Sequence, residues 1–215
     1  MDVYKINVCL IGDTYTGKST FLNFIVNNYF KKIYETTIGV DFGSQIFKLN
    51  TFNIKWHIWD TTGSSDFLTV TKSYFRNMSL YFLFIDLNDP SSTKNLEMWM
   101  DRISLDKTKN TKIVLVGCKV DLDIKINEDY IEYFCDKYDL EYFKISIKDN
   151  LGVDTMIDKI NNHFRKIIIQ ENESENLKEY GIVLTEYSKT YKKNYMKLND
   201  EPTVKNTCFS SCLIS

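Results

Sequence analysis

The chain has 215 residues with 43% apolar content, enough to bury one sizeable core, and 14% aromatic content argues against a disordered polymer. A formal net charge of -2 supplies no basic field, so nucleic acid is excluded as an expected partner. With neither a charged start and apolar h-region nor a run of apolar residues long enough to span a bilayer, the expectation is a cytosolic product, neither secreted nor membrane-spanning. Five cysteines, an odd number without CxxC spacing, fit free thiols in a reducing compartment rather than a disulfide framework or zinc site.

In chain order, Tyr4 to Ile11 reads as a buried strand that runs into Gly12-Asp13-Thr14-Tyr15-Thr16-Gly17-Lys18-Ser19, the pattern GxxxxGKS, and then into a helix from Lys18 to about Asn27. A loop whose backbone N–H groups all point inward cradles phosphates only where side chains do not intrude. The lysine then reaches the terminal phosphates and the Ser19 hydroxyl can ligate magnesium. Gln45 to Leu49 and Ile54 to Trp59, separated by Asn50-Thr51-Phe52-Asn53, read as a hairpin that makes one edge of the sheet antiparallel. Leu80 to Asp86 is a further buried strand. A helix of alternating polarity follows over about Thr93 to Leu105, with Trp99 a core residue rather than a ligand. Ile113 to Val116 and Phe143 to Lys148 are the remaining strands, and Asn127 to Lys137 and Val153 to Ile168 the remaining helices.

Strands alternating with helices imply an α/β P-loop NTPase fold: a six-stranded, mostly parallel sheet with one antiparallel edge strand and helices on both faces. The first domain is expected over residues 1–169. From Gln170 onward Glu, Asn, Lys and Tyr dominate without sustained period, so residues 170–215 are expected to form a flexible tail, a tether spanning roughly 35 Å.

The choice of nucleotide falls to two short motifs at strand ends. Gly117-Cys118-Lys119-Val120-Asp121 follows the strand at Ile113, and an aspartate there accepts two hydrogen bonds from the ring N–H and exocyclic amine of guanine, a donor pair that adenine lacks. Ser146-Ile147-Lys148 can offer a backbone N–H to the guanine carbonyl. Each tripeptide alone is a common solvated turn; in chain order behind a phosphate loop they point to guanine.

With these residues assembled, the chain resembles the small GTPases of the Ras superfamily, and their Rab branch in particular. Thr37-Ile38-Gly39-Val40-Asp41-Phe42 is identical to the Rab switch I sequence, and Trp59-Asp60-Thr61-Thr62-Gly63 is similar to the WDTAG of switch II. The register continues through Phe67, Thr69, Thr71, Tyr74 and Arg76, and the resemblance covers about residues 4–168. It implies GTP and GDP as ligands with Mg2+. Asp13, Thr14, Tyr15, Thr16, Gly17, Lys18, Ser19 and Thr20 would hold the phosphates. Ser19 and Thr37 would ligate the metal, with Asp60 holding it through water, and Gly63 would bond the γ-phosphate. Lys18, Thr37, Gly63 and the residue at 64 would form the catalytic set. Phe30, Cys118, Lys119, Asp121, Ser146, Ile147 and Lys148 would surround the base, although Phe30 reads equally well as a core residue at a helix end. Phe42, Trp59 and Tyr74 match the aromatic trio on which Rab effectors dock.

Departures from the family pattern carry their own expectations. Ser64 replaces the glutamine that orients the attacking water and is too short to reach it, and Ser65 replaces the following glutamate, so hydrolysis is expected to be slow. Tyr15 stands where a glycine is common and can cover the phosphates or obstruct an arginine finger. Cys118 replaces an asparagine that braces the base, and Ile147 replaces a small residue. At the far end, Cys212-Leu213-Ile214-Ser215 is a CaaX box, with Cys208 nearby as a second lipid site.

The resemblance thus implies effectors, an exchange factor and an activating protein acting through the switch regions. It also implies a prenyltransferase, an escort protein, and residence on the cytoplasmic face of a membrane with a soluble pool. Two functions stay open: a regulated switch, and a membrane adaptor that holds GTP without useful turnover. An ATP-using P-loop kinase would carry neither Lys-x-Asp nor CaaX.

Overall fold

A computed structural model of the protein describes residues 1–30, 37, 39–63, 77–171 and 176–185. The strands are β1 (Val3–Gly12), β2 (Val40–Lys48), β3 (Asn53–Thr61), β4 (Leu80–Asp86), β5 (Lys112–Cys118), β6 (Glu141–Ile145) and β7 (Val183–Leu184). The helices are α1 (Lys18–Asn27), α2 (Leu96–Ser104), α3 (Glu128–Tyr138), α4 (Val153–Gln170) and the short α5 (Asn176–Glu179). The sheet order is β2-β3-β1-β4-β5-β6. Every neighbouring pair on that path is parallel except β2–β3, where Phe42 lies opposite Trp59.

Sequence composition explains the layering. Every residue of β4 is buried, as a strand covered on both faces requires, and alternate residues serve different cores. Leu80, Phe82 and Phe84 join Ile6, Val8 and Leu10 of β1 under α1 and α4, whereas Tyr81, Leu83 and Ile85 join Cys9 and Ile11 under α2 and α3. On α4 the buried residues Val153, Met156, Ile157, Ile160, Phe164 and Ile168 recur at helical spacing, giving one apolar stripe to the first core. Within that core Phe21 stands edge-on to Phe82 at 5.5 Å, and the fully buried Trp56 indole donates to Asn161 Oδ1 at 2.9 Å.

Several boundaries differ from expectation. β2 starts at Val40 rather than Gln45, because its outer residues are polar or exposed and only its cross-strand partners on β3 reveal the pairing. The helix expected from Thr93 is preceded by a separate 3-10 turn, Pro90–Thr93, in which Asp89 accepts from the Ser91 N–H; α2 itself begins at Leu96. The final strand ends at Ile145 instead of running to Lys148, leaving Ser146, Ile147 and Lys148 in a loop closed by a bridge between Ser146 and Leu151.

The largest correction concerns residues expected to begin a flexible tail. Residues 176–185 fold back on the domain: Leu177 and Ile182 are buried in the first core, and β7 pairs antiparallel with β1, Tyr4 opposite Leu184, as a seventh strand. Two apolar anchors five positions apart fit neither the helical nor the alternating period, so the sequence pattern does not mark them.

Candidate nucleotide-binding site

Gly12 ends β1, and the loop after it turns into α1 through Gly17, whose φ of 105° lies in the left-handed region that glycine adopts without strain. The N-cap of α1 is Gly17, which has no side chain to cap the helix. Its first N–H groups are therefore available to an anion, which the helix dipole also favours. Lys18 is almost fully buried, and its ammonium donates to the carbonyl oxygens of Gly12 at 2.9 Å and Asp13 at 2.7 Å. Burial lowers its pKa to about 8, against the raising influence of Asp60 and Asp13. A cation held dry at a phosphate-sized opening gains a strong partner when a polyanion arrives.

Beside Lys18, three side chains from separate elements converge. Ser19 of α1 donates to Asp60 Oδ2 at 2.5 Å and lies 2.8 Å from the Thr37 hydroxyl, which is itself 3.3 Å from the same carboxylate oxygen. Asp60, on β3, is wholly buried, and its Oδ1 has no hydrogen-bond partner among the described residues. Burial pushes its pKa up to about 6, against the hydrogen bond from Ser19 and the charge of Lys18. Two hydroxyls and a carboxylate with a spare buried oxygen form an all-oxygen donor set suited to a hard divalent cation such as magnesium.

At the other end of the cleft, Ser146 is fully buried and donates to Asp121 Oδ1 at 2.8 Å, with the Lys148 ammonium 3.4 Å from Oδ2. Burial opposes the Asp121 charge, but the bonds from Ser146, the backbone and Lys148 hold its carboxyl below the usual range. An ionised, oriented acceptor is what a paired N–H edge requires. The Lys119 ammonium is tied to Asp86 at 2.5 Å. Cys118 packs beneath the loop: a Cβ built on Gly17 would lie 3.3 Å from its Sγ and 3.6 Å from Ile147 Cδ1. Burial pushes the Cys118 thiol pKa up, so it serves as an apolar floor.

One cavity of about 350 Å³ joins these ends. Thr14, Tyr15, Gly17, Lys18, Ser19 and Thr20 line it on the phosphate side, with Thr37 and Gly63 opposite. Phe30, Cys118, Lys119, Asp121, Ile147 and Lys148 line the base side. Phe30 both lines the cavity and packs on the first core, so its two readings coexist. Gly63 crosses so close to the loop that a Cβ there would stand 2.3 Å from the Thr14 nitrogen.

Four expected residues stand off the lining. Asp60 and Ser146 act from beneath it; Thr16 bonds the Asp13 carbonyl at 2.8 Å, and Asp13 turns its side chain towards α2. The structure adds Thr61, Thr62 and Leu122, each within two residues of a motif position. Ser64, Ser65, Phe67, Thr69, Thr71, Tyr74, Arg76, Cys208 and Cys212 lie outside the described residues.

On the outer face of β2 and β3, Phe42 and Trp59 meet edge to face at 5.1 Å, with Phe42 half exposed. His57, missed in the sequence, joins them with its ring 5.4 Å from Phe42; only the alternation of β3 could have flagged it. Among the described residues, no helix is long and apolar enough to cross a membrane.

Comparison with known proteins agrees with this geometry. A model of the Ras family matches residues 7–166. Ras-related protein RABE1d of Arabidopsis thaliana is 35% identical over 156 residues, covering 71% of this chain and 72% of that protein. Ras-related protein RAB1BV of Beta vulgaris is 34% identical over 154 residues, covering 70% and 72%. GTP-binding protein ypt1 of Schizosaccharomyces pombe is 31% identical over 156 residues, covering 70% and 75%. With a phosphate loop, a hydroxyl–carboxylate cluster and an oriented aspartate on one cavity, and matches of this extent, the chain belongs to the Ras family of small GTPases, in its Rab branch.

Proposed function

We propose that this GTPase is a membrane-recruited molecular switch in vesicle trafficking with weak intrinsic hydrolysis. The observation that carries the reading is the meeting of Lys18, the Ser19–Thr37–Asp60 cluster and the Ser146–Asp121 pair on a single cavity. Asp121 accepts the guanine N–H edge, and the amides from Asp13 to Thr20 with the Lys18 ammonium hold the phosphates. Magnesium would neutralise phosphate charge there, with the Ser19 and Thr37 hydroxyls and the Asp60 carboxylate as the residues that would hold it. Thr37 and Gly63 sense the γ-phosphate, so its loss releases both segments. Phe42, Trp59 and Tyr74 are the effector residues, and an exchange factor and an activating protein act through the switch regions. Cys212, with Cys208 as the second site, carries the lipid that a prenyltransferase attaches and an escort protein covers in the soluble pool.

A second reading, an adaptor that holds GTP without useful turnover, is favoured by two residues. Ser64 lacks the reach to orient water, and Tyr15, 61% exposed with a φ of 67°, stands at the mouth of the phosphate site. Single-turnover GTP hydrolysis separates the two. The wild-type rate is expected to lie well below that of glutamine-bearing relatives, and Ser64→Gln to raise it by about tenfold or more. A wild-type rate equal to theirs overturns the assignment of Ser64. No gain in Ser64→Gln, together with no response to activating proteins, favours the adaptor.

A further inference from the structure

Asp13 is the first residue after β1, yet its side chain does not face the nucleotide cavity. It lines a second cavity of about 400 Å³, shared with Asn95, which adjoins the first along Thr14, Tyr15 and Gly63. Both of its carboxylate oxygens are engaged there from α2: Oδ1 accepts the Trp99 indole N–H at 2.8 Å, and Oδ2 accepts the Asn95 amide at 3.0 Å. Asn95 occupies the N-cap position of α2 but makes no capping bond with its side chain, whose Nδ2 donates instead to Asp13. Trp99 is only 2% exposed and packs in the second core, so its N–H stands at a fixed point.

The backbone of the same residue is fixed as well. The Asp13 carbonyl accepts from the Lys18 ammonium at 2.7 Å and from the Thr16 hydroxyl at 2.8 Å. One residue therefore joins α2 to the cation of the phosphate site. A carboxylate free to swing towards a triphosphate would repel it, and repulsion between like charges is strong where water is sparse. Two N–H donors near a helix N-terminus hold that charge turned towards α2.

We propose that Trp99 and Asn95 are positioning residues for nucleotide binding, which act by clamping both carboxylate oxygens of Asp13 so that its charge stays off the phosphates and its carbonyl orients Lys18. This rests on the reading of residues 13–20 as the phosphate cradle. Core packing alone would need the Trp99 ring but not its N–H, and it would need Asn95 not at all.

The test is the dissociation rate of fluorescently labelled GDP from the full chain with magnesium, chased by unlabelled GDP. Trp99→Phe keeps an aromatic ring in the core but removes the donor together with part of the indole, and should speed dissociation about tenfold, as expected for a lost hydrogen bond to a charged group. Asn95→Ala, at an exposed position, should speed it about threefold and serves as the deciding variant if Trp99→Phe does not fold. In an Asp13→Asn background, where no charge is left to hold, Trp99→Phe should cost less than about threefold. Wild-type dissociation in Trp99→Phe and Asn95→Ala overturns the proposal, as does an undiminished cost in the Asp13→Asn background, which would mark the effect as packing. A wild-type chain that retains no labelled GDP overturns the phosphate-cradle reading, and the proposal with it.

Discussion

Asp60 combines total burial with a charge requirement, and the cost of that combination can be measured. Its carboxyl pKa is raised from 3.8 to about 6, chiefly by burial. A group whose folded pKa is raised leaves stability intact below the unfolded pKa and removes it as pH rises through the folded value. Charge on Asp60 should therefore cost the nucleotide-free protein up to about 3 kcal/mol above pH 6 and nothing below about pH 4. Asp60→Asn has no charge to bury. At pH 7, without nucleotide and magnesium, Asp60→Asn should melt higher than wild type by about 6–12 °C, and the gap should shrink as pH falls towards 5. With excess GDP and magnesium the order should reverse, because the variant lacks the anion that the bound ion needs. Scanning calorimetry across pH 5–7 checks both halves. An unchanged gap between pH 7 and pH 5 would show that the Asp60 environment in the free protein is not dry.

Among the elements, the segment from α5 to β7 has no counterpart in the expected tail. It is held by Leu177 and Ile182 in the core, by the Ser79 hydroxyl donating to the Gly181 carbonyl at 3.0 Å, and by the Thr185 N–H donating to the Val3 carbonyl at 3.0 Å. A unit resting on two apolar anchors opens separately from the sheet when one is cut back. Ile182→Ala should cost it 2 kcal/mol or more, on the order of a thirtyfold faster amide exchange at Lys5 and Thr185, while β4 and β5 stay protected. Equal loss of protection throughout the sheet would instead make the segment part of the global folding unit. Elements that carry a long periodic pattern are readable from the sequence alone. β4 and α4 were legible because seven and eighteen residues carry one uninterrupted pattern. The phosphate loop and the two base motifs were legible because their chemistry demands fixed spacing. The α5–β7 segment was not, since its two anchors define no period, and neither was the Trp99–Asp13 bond, since nothing local relates positions so far apart.

At the scale of the whole molecule, β1 relates the nucleotide site to the last described residues of the chain. Its C-terminal end delivers Gly12 to the phosphate loop, and Phe42 meets Trp59 beside the same end, where Cys9 pairs with Trp59. Its N-terminal end holds Thr185 through Val3, so the chain passes residue 185 at the opposite end of the strand, roughly 30 Å away by strand rise. A lipid carried beyond that point can hold the protein to a bilayer without covering either the nucleotide cavity or the aromatic pair. Charge is not expected to supply an alternative anchor: with a formal net charge of -2, the attraction of about 1 kcal/mol per lysine at an anionic surface is offset by acids. Lipid at Cys212 should therefore decide residence, and a single chain binds only reversibly without a second signal. Cys212→Ser is expected to move the protein to the soluble fraction whichever nucleotide is bound, with GDP dissociation unchanged because Cys212 belongs to none of the nucleotide motifs. Cys208→Ser should weaken membrane retention without abolishing the first lipid. Fractionation of cells expressing each variant checks both expectations. Sedimentation of Cys212→Ser with membranes would transfer the anchoring role to a membrane-resident partner bound at the Phe42–Trp59 face.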